Sequence, residues 1–390
     1  PASRNRFLYL GGTLHPLPQG LRGLLWAVPP FSRPLLWSGL RDLLTPAGTG
    51  PDESAHAFAL RRFGREVAEV AVDSLCRGVF AGDSRVLSVR SCFPALFRAE
   101  RRRGSVLLGM ALPPGGRGDS GREGTPVALA QRARAERWSQ WSLRGGMESL
   151  PRALVAFVSP RGAELRCDTP LTHLCHRRGR WQVTFPGGSI TADHVLSALP
   201  AAALARALSP ELSPLARELR DIPAATVAVV NLHYRGVTLP VTGFGHLVPS
   251  REDPALLGVV YDSVAFPEHD GTAPGARLTV MLGGAWFGQE FGDPGAVSPE
   301  VLVARARAAV RDHLGLATPP ARALLRVQQD CIPQYTLGHW ERLERMQHFL
   351  RQQRLSLSLI GASFSGVSVN DCIASAKAAV GRVLGCPPEP

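Results

Sequence analysis

Residues 355–384, with the sequence LSLSLIGASFSGVSVNDCIASAKAAVGRVL, contain the pattern that decides the fold. The pattern predicts a strand, a glycine-containing turn and a helix from about Asn370 to Leu384. Glycine and other small residues in the turn let a ligand approach the backbone, and a helix start offers unpaired N–H groups. The unit therefore suits an anionic cofactor group, although an ordinary strand-to-helix connection explains it equally well.

The rest of the chain predicts a mixed α/β protein. Strand-rich runs separated by Pro and Gly turns occupy the middle, at 181–185, 189–199, 225–234, 256–261 and 277–284. Helical spacing of apolar residues is found on either side, at 52–82, 127–139 and 299–314. Residues 113–124 are polar and rich in glycine, which makes them the best candidate for an internal linker.

The composition is that of a packed globular protein. Hydrophobic residues make up 45% of the 390 residues and charged residues 19%, which excludes wholesale disorder and allows two or three domains. The formal net charge is +12, and residues 1–150 hold 21 basic against 12 acidic residues, an excess of 9. This front part suits an anionic membrane surface, nucleic acid or a carboxylate ligand, or reflects a bias toward arginine.

Residues 21–44, LRGLLWAVPPFSRPLLWSGLRDLL, are rich in leucine and tryptophan and are interrupted by prolines. The prolines prevent a single helix from covering the segment. Two short apolar pieces with Trp26 and Trp37 and three nearby arginines are typical of a segment that inserts into one membrane leaflet. A pair of short core helices joined by a proline turn would have the same pattern. No apolar run approaches the roughly 18 residues that a spanning helix needs.

Several catalytic and metal-binding signatures are missing from the sequence. It has no GxGxxG turn directly after a predicted strand, and no P-loop, nucleophile elbow or HExxH motif. The seven cysteines form no CxxC pair and no zinc-ligand spacing, and their odd number favours reduced, mostly buried thiols. The chain starts with Pro1 rather than Met, so we expect its natural N-terminus and any targeting signal to lie upstream.

Seven stretches carry a family resemblance. They are NRFLYLGG (5–12), DSLCRGVFAGDSRVLSVRSCFPALF (73–97), ERWSQWSLRGGMESLPRAL (136–154), GFGHLVPS (243–250), YDSVAFPEHDG (261–271), CIPQYTLGHW (331–340) and IGASFSGVSVNDCIASA (360–376). Together they resemble the animal protoporphyrinogen oxidases, over essentially the whole chain. RGGMESLP and ADHVLSALP are shared with the wider flavin amine oxidase superfamily, whereas CRGVFAGD together with GFGHLVPS is far more specific.

The resemblance implies an α/β fold with three parts. These are an FAD-binding domain of the p-hydroxybenzoate-hydroxylase type, a mixed-sheet substrate domain and a helical membrane-binding domain. The implied ranges are 1–118 for the membrane-binding domain, 119–170 and 331–390 for parts of the FAD-binding domain, and 171–330 for the substrate domain. The N-terminal GxGxxG unit of the family is not among these residues, so we expect this chain alone to bind FAD weakly or not at all.

The resemblance also implies the site residues, position by position. It implies no catalytic side chain, because the flavin performs the redox chemistry. Arg6 would pair with a propionate of a tetrapyrrole substrate. The other residues implied to line the substrate pocket are Leu75, Gly78, Phe244, Gly245, Leu247, Val260 and Met281. Those implied to bind the flavin are Leu171, Ala362, Val367, Ser368 and Val369.

The activity implied by the resemblance is FAD-dependent oxidation of protoporphyrinogen IX to protoporphyrin IX with O2, giving H2O2, in haem biosynthesis. The implied location is the intermembrane-space side of the mitochondrial inner membrane, as a monotopic homodimer that hands its product to ferrochelatase. One alternative is another flavin oxidase, for an amine or a carotenoid. A second is a non-enzymatic basic protein that binds a membrane or nucleic acid. Arg6 with GFGHL suits a diacid macrocycle better than a cation, which disfavours the first alternative. The arginines are not interleaved with aromatic residues as in RNA-binding patterns, so we expect no nucleic-acid partner.

Overall fold

The computed structural model of the protein describes residues 4–18, 23, 25–112, 128–138, 140–270 and 275–385. The strands are β1 (Arg6–Leu10), β2 (Thr13–Pro16), β3 (His173–Arg177), β4 (Arg180–Phe185), β5 (Gly188–Ala192), β6 (Val195–Ser197), β7 (Ala224–Arg235), β8 (Gly245–Leu247), β9 (Leu256–Tyr261), β10 (Gly275–Gly284), β11 (Arg322–Pro333) and β12 (Leu357–Leu359). The helices are α1 (Leu35–Leu44), α2 (Ala55–Phe63), α3 (Asp73–Phe80), α4 (Val89–Cys92), α5 (Pro94–Arg103), α6 (Val106–Ala111), α7 (Ala128–Ala135), α8 (Ser149–Val158), α9 (Ala201–Ala207), α10 (Ser213–Arg220), α11 (Asp262–Ala265), α12 (Phe287–Phe291), α13 (Pro299–Leu314), α14 (His339–Gln352) and α15 (Val369–Val383). A π-helical stretch (Val67–Val72) leads into α3.

The largest sheet has the strand order β11-β7-β10-β9-β8-β1-β2, in which only β1 and β8 run parallel. Its strands alternate in burial because successive side chains point to opposite faces. In β7, Ala228, Val230 and Leu232 belong to the buried face, which packs against Leu302 and Val310 of α13. The opposite face stays open and carries most of the predicted substrate residues.

A second core joins the middle of the chain to its C-terminal part. β6 pairs in parallel with β12, and the β3-β4-β5 sheet shares a hydrophobic core with α9, α10 and α14. Trp181 is fully buried there and donates its indole N–H to the Ser356 hydroxyl at 3.1 Å. The strand run predicted at 181–185 is found as β4, which pairs with β5 and has Phe185 opposite Gly188. The run predicted at 189–199 is split, because β5 ends at Ala192 and Val195–Ser197 form β6, which pairs with β12.

The strand–turn–helix unit predicted near the C-terminal end is confirmed. β12 is followed by Gly361, whose φ of +94° is one that residues with side chains rarely adopt. The Ser368 hydroxyl accepts the Asp371 N–H, and the Asp371 carboxylate accepts the Ser368 N–H. This capping box fixes the start of α15 at Val369.

Two segments pack with elements outside the ranges that the resemblance implies for them. Residues 6–16 fall in the mostly helical range 1–118, and they form β1 and β2 of the large sheet because β1 pairs with β8. Residues 174–222 share their core with 346–364 and not with the large sheet. The predicted helix at 127–139 is found as α7, and the linker candidate at 113–124 lies outside the described residues.

A buried ion cluster holds helices α1, α2, α5 and α6 together. Arg62 is fully buried, and its guanidinium donates to a Glu100 carboxylate oxygen and to the Asp42 carbonyl, at 2.7 and 2.8 Å. The Asp42 carboxylate lies 3.3 Å from the same guanidinium and accepts from the Ser105 hydroxyl at 2.6 Å. Buried opposite charges that are hydrogen-bonded to each other compensate for their loss of hydration. These helices are therefore held together by polar contacts as well as by apolar packing.

The outer surface of α1 and α6 is apolar. Trp37 and Leu44 on α1 are 62% and 83% exposed, and Met110 on α6 is 62% exposed. Residues 21, 22 and 24 of the predicted interfacial segment lie outside the described residues. Among the residues that the structure describes, no helix is both long and apolar enough to cross a bilayer.

Candidate functional site

One continuous row of residues crosses the open face of the large sheet. The register pairs Arg6 with Gly245, Gly245 with Val260, Val260 with Thr279 and Thr279 with Asn231. Residues paired on neighbouring strands project to the same face. The structure therefore aligns the predicted substrate residues Arg6, Gly245 and Val260. It adds two polar residues that the sequence did not indicate, Thr279 and Asn231.

The next row along the strands is apolar. Leu8 pairs with Leu247, both Leu247 and Met281 pair with Gly258, and Met281 pairs with Val229. A Cβ atom on Gly258 would lie only 3.1 Å from a Leu247 methyl carbon, so the glycine leaves room for the leucine. The predicted residues Leu247 and Met281 thus lie beside the first row and give this part of the face its apolar character.

Helix α3 closes over one end of the apolar row. A Cβ atom on Gly78 would lie 2.8 Å from a Leu247 methyl carbon, so a glycine is needed for this approach. Leu75, three residues earlier on the same side of the helix, is 42% exposed. The helix and the sheet therefore form two adjoining walls, one with Leu75 and Gly78 and the other with Leu247, Val260 and Met281.

A buried arginine that the sequence interpretation missed fixes α3 to the sheet. The Arg77 guanidinium donates to the carbonyls of Val248 at 2.9 Å, Asp253 at 2.8 Å and Leu256 at 2.8 Å. It also lies 4.4 Å from the centroid of the Trp286 ring. Burial lowers the pKa of Arg77 to about 10. No sequence signal marks this residue, because a single arginine in a helical run is usually exposed.

Arg6 lies at the outer end of the first row. It is exposed, and its guanidinium carbon is 5.7 Å from the centroid of the Phe244 ring. The Phe244 N–H donates to the Asn5 carbonyl at 2.8 Å, so the two segments are joined by the backbone as well. An exposed guanidinium beside an apolar wall can form a bidentate pair with a carboxylate that lies along the sheet.

A polar group occupies the other end of the same row. The Thr279 hydroxyl donates to an Asp262 carboxylate oxygen at 2.7 Å, and the Asn231 amide donates to the Thr279 hydroxyl at 2.7 Å. Burial raises the pKa of Asp262, and the hydrogen bond from Thr279 partly opposes this. Because side chains alternate along a strand, counting from Val260 could have placed Asp262 on the open face. Only the register shows that the strand of Thr279 lies between those of Val260 and Asn231.

The loop between β12 and α15 is held by two side chains from the segment around the start of α14. The Tyr335 hydroxyl donates to the Ala362 carbonyl and accepts the Gly366 N–H at 2.8 Å. His339 donates from Nε2 to the Phe364 carbonyl at 3.1 Å, and its ring stacks on Tyr335 with centroids 4.1 Å apart. Burial raises the pKa of Tyr335 and lowers that of His339 to about 4, so both side chains are neutral near pH 7.

This loop and helix start fit the polar edge of a flavin. Ser368 and Asp371 cap each other, while the N–H groups of Val369 and Asn370 have no partner within the helix. Both residues are exposed, so their N–H groups can donate to an anionic or carbonyl oxygen of a bound ligand. The predicted flavin residues Val367, Ser368 and Val369 are consecutive at this point.

Helix α3 links this loop to the sheet face. Its residues Cys76 and Phe80 form a core with Tyr335, and Val367 packs against that core. The predicted flavin residue Leu171 lies just before β3, half-buried against the second core, which also contains Phe364. In the part of the chain that the structure describes, no group of three or more His, Cys, Asp or Glu side chains could hold a metal ion.

The fold and the site together define the class of the protein. The chain belongs to the flavin containing amine oxidoreductase family, which it matches over residues 1–384. This membership and the helix start that fits a flavin make the chain a flavin-dependent oxidoreductase with FAD as its cofactor.

Within that family, the chain groups with the animal protoporphyrinogen oxidases. It is 56% identical over 390 residues to the protoporphyrinogen oxidase of Bos taurus, covering 100% of this chain and 80% of the bovine one. It is also 26% identical to the coproporphyrinogen III oxidase of Bacillus subtilis, over 98% of this chain and 80% of that protein. A solved structure of a putative protoporphyrinogen oxidase from Exiguobacterium aligns with a TM-score of 0.72 and 22% identity, over 98% of this chain and 80% of that one. The resemblance deduced from the sequence motifs is thereby confirmed.

Proposed function

We propose that this chain oxidises protoporphyrinogen IX to protoporphyrin IX in haem biosynthesis, with O2 as the final oxidant and H2O2 as the second product. The observation that carries the proposal is the row on the open sheet face, which has one cation, Arg6, at the edge of an apolar wall. A tetrapyrrole with propionates on one edge has the complementary distribution of charge.

The role of each wall follows from the chemistry of this substrate. Arg6 binds a propionate and so fixes which edge of the macrocycle enters first. Leu247, Val260 and Met281 contact the apolar ring face, and Leu75 covers it from α3. Burial of the ring between these walls excludes water from the carbon atoms that are oxidised.

Bound FAD supplies the redox chemistry, because it accepts hydride equivalents from the substrate and passes them to O2. The residues that would hold it are Leu171, Ala362, Val367, Ser368 and Val369. Tyr335 and His339 keep the loop in the conformation that presents these residues. The packing of Val367 against the α3 core keeps the flavin loop and the substrate wall in a fixed relation.

The activity is tested by supplying the FAD-loaded protein with protoporphyrinogen IX in air. We expect porphyrin fluorescence to appear together with H2O2, above the rate without enzyme. A polyamine or monoamine offered under the same conditions tests the amine oxidase alternative, which the positive charge of Arg6 disfavours. Peroxide from the amine but not from the tetrapyrrole would contradict the proposal.

We propose that α1 and α6 attach the protein to one membrane leaflet. Their outward side chains Trp37, Leu44 and Met110 are each more than half exposed, and indole and leucine side chains favour the bilayer interface. The cluster around Arg62 supports this by holding both helices while their apolar faces point outward. The alternative of two core helices does not account for an α1 whose leucines are exposed.

Liposome sedimentation tests the attachment. Replacement of Trp37, Leu40 and Met110 by serine should release the protein from anionic liposomes without changing its unfolding temperature. Val301→Ser, at an exposed valine on α13, is the matched control and should leave binding unchanged. Equal sedimentation of the triple variant and the unchanged protein would contradict the proposal.

We also propose, on the family resemblance, that this surface faces the mitochondrial inner membrane from the intermembrane space. We further propose a homodimer and transfer of the product to ferrochelatase. Light scattering of the purified protein should give twice the chain mass, and protease protection in mitoplasts should place it outside the matrix. A monomer, or protection only within the matrix, would contradict the respective proposal.

A further inference from the structure

The polar end of the sheet row is not required for binding propionates or flavin. It consists of Asp262, which accepts from the Thr279 hydroxyl at 2.7 Å, and Asn231, which donates to that hydroxyl at 2.7 Å. The two hydrogen bonds fix the carboxyl group on the open face, next to the predicted substrate residue Val260. Burial of a charged carboxyl beside an apolar wall is unfavourable unless hydrogen bonds compensate it, and the Thr279 hydroxyl supplies such a bond.

The row also fixes how far this carboxyl lies from Arg6. Arg6 and Thr279 are separated by three strand spacings of about 4.8 Å each, which is about 14 Å across the sheet. A tetrapyrrole with its side chains spans a separation of this order. A substrate whose propionates reach Arg6 therefore directs its opposite edge toward Asp262.

The local charges make that end unsuitable for a second carboxylate. The nearest cation whose charge acts on Asp262 is Arg277, and Arg277 is already paired with Asp270 and donates to the Phe266 carbonyl at 3.2 Å. A carboxylate placed here would face Asp262, while Arg322 and Arg326 of the same face lie on β11, two strands away from Thr279. Two like charges close together in a partly desolvated site cannot both ionise without a large cost.

Relatives of this chain act on tetrapyrroles that carry different numbers of carboxylates, since the Bacillus subtilis relative is a coproporphyrinogen III oxidase. Protoporphyrinogen IX carries vinyl groups on the edge opposite to its two propionates. Coproporphyrinogen III carries propionates at those two positions. The substrates thus differ in charge at the edge that would lie beside Asp262.

We propose that Asp262, held by Thr279 and Asn231, determines specificity by excluding tetrapyrroles that carry a carboxylate on the edge opposite to Arg6. This inference rests on the proposed function and names its substrate class more narrowly. Asp262 rejects the tetracarboxylate and accepts the vinyl-bearing substrate, while Thr279 and Asn231 are positioning residues that keep the carboxyl on the open face.

The test compares kcat/KM of the FAD-loaded protein for protoporphyrinogen IX and for coproporphyrinogen III. Asp262→Asn keeps the size of the side chain and removes the charge. The ratio is kcat/KM for protoporphyrinogen IX divided by kcat/KM for coproporphyrinogen III. We expect Asp262→Asn to lower this ratio at least tenfold, because kcat/KM for coproporphyrinogen III rises. Thr279→Val, which removes the orienting hydroxyl, should lower the ratio by a smaller factor.

Asp312→Asn is the matched control, because it makes the same charge change on α13, behind the opposite face of the sheet, where the side chain is 52% exposed. Its ratio should stay within twofold of that of the unchanged protein. If Asp262→Asn fails to fold, Asp262→Ser removes the same charge and is measured instead. A ratio within twofold of the original in the folded Asp262 variant, or an equal fall in the Asp312 variant, would overturn the proposal.

A binding measurement separates failure of this inference from failure of the proposed function. Quenching of porphyrin fluorescence gives Kd for protoporphyrin IX and coproporphyrin III without turnover, and Asp262→Asn should lower the Kd of coproporphyrin III selectively. If the unchanged protein oxidises protoporphyrinogen IX but the ratios do not move, only the inference is wrong. If the unchanged protein neither oxidises the substrate nor binds either porphyrin, both proposals are wrong.

Discussion

Two buried arginines, one in the helical region and one at the junction of α3 with the sheet, are held in opposite ways. Arg62 is surrounded by the carboxylates of Glu100 and Asp42. Arg77 is held by backbone carbonyls and the face of Trp286, and its Nη1 atom has no hydrogen-bond partner among the described residues. In the first arrangement two carboxylates contact the guanidinium directly, whereas in the second its contacts are four backbone carbonyls and a ring face.

This difference matches the tasks of the two regions. A cluster of paired charges allows α1 and α6 to be fixed to each other while their outer faces meet an apolar environment. Carbonyl dipoles do not compensate a full charge, but a guanidinium that reaches four of them defines the position of α3 closely. We therefore expect Arg62 to affect mainly stability and Arg77 to affect both stability and substrate binding.

The largest effect is expected for Arg62→Ala. It leaves the buried Asp42 carboxylate without its cation and Glu100 with only its ion pair to Arg61, which costs about 3–5 kcal/mol of the free energy of unfolding. Urea denaturation followed by circular dichroism measures this loss. Arg65→Ala removes an exposed arginine paired with Glu69 on the helix surface and should leave the urea midpoint unchanged. Equal midpoints for both variants would show that the buried cluster does not hold the region together.

Arg77→Ala should destabilise the protein by less, about 2–3 kcal/mol, because it leaves buried carbonyls rather than charges without a partner. It should also raise KM for the tetrapyrrole, since Gly78 and Leu75 shift relative to Leu247. Arg77→Lys should restore part of the stability but not the KM, because an ammonium group cannot reach four carbonyls as a planar fork does. An unchanged KM in Arg77→Ala would show that α3 does not position the substrate wall.

Arg6 provides the contrast of an exposed arginine. Arg6→Ala should leave the urea midpoint and the flavin content unchanged and weaken tetrapyrrole binding by about 1.5–3 kcal/mol, the value of a charge-assisted hydrogen-bonded pair. Arg6→Lys should recover only part of the affinity. Comparison of kcat/KM for the three proteins decides the matter, and a fall of less than about threefold for alanine would remove Arg6 from the site.

The smallest effect is expected on the pH dependence of stability, and it comes from two buried, neutral histidines, His246 and His313. His246 is hydrogen-bonded to the Tyr261 hydroxyl at 2.7 Å and to His313 at 2.9 Å, behind the sheet. Burial lowers the pKa of His246 to about 3 and that of His313 to about 4. The unfolded chain therefore takes up protons first as the pH falls, so stability is complete above about pH 7 and decreases from about pH 6.5 toward pH 4.

His313→Gln removes one of these groups and keeps a hydrogen-bonding side chain. Between pH 6.5 and pH 5 it should reduce the loss of stability by about 1–2 kcal/mol, because one differential proton changes the free energy by about 1.4 kcal/mol per pH unit. Urea midpoints at both pH values measure this change. His348→Gln, at an exposed histidine on α14, serves as the control. Parallel pH dependences in both variants and the unchanged protein would exclude His313 as the source.

Local patterns in the sequence predicted most of the elements and the family. The strand–turn–helix at the C-terminal end could be predicted because periodicity and glycine placement are local properties. The same holds for the strand runs that became β7, β9 and β10. The motifs also identified the chain as a flavin oxidase relative. The residue types near a cofactor depend on the chemistry of the cofactor and not on which strands are neighbours, so they can be recognised in the sequence.

Only the tertiary structure decided which residues act together. The sequence by itself determined that Val260, Thr279 and Asn231 lie on strand runs, but their alignment with Arg6 and Gly245 depends on strand order and register. A one-residue slip would send each side chain to the other face, and no local pattern shows which strands become neighbours. For the same reason Arg77 and Asp262 were missed, because each owes its role to partners that are distant in sequence and meet it only in the folded chain.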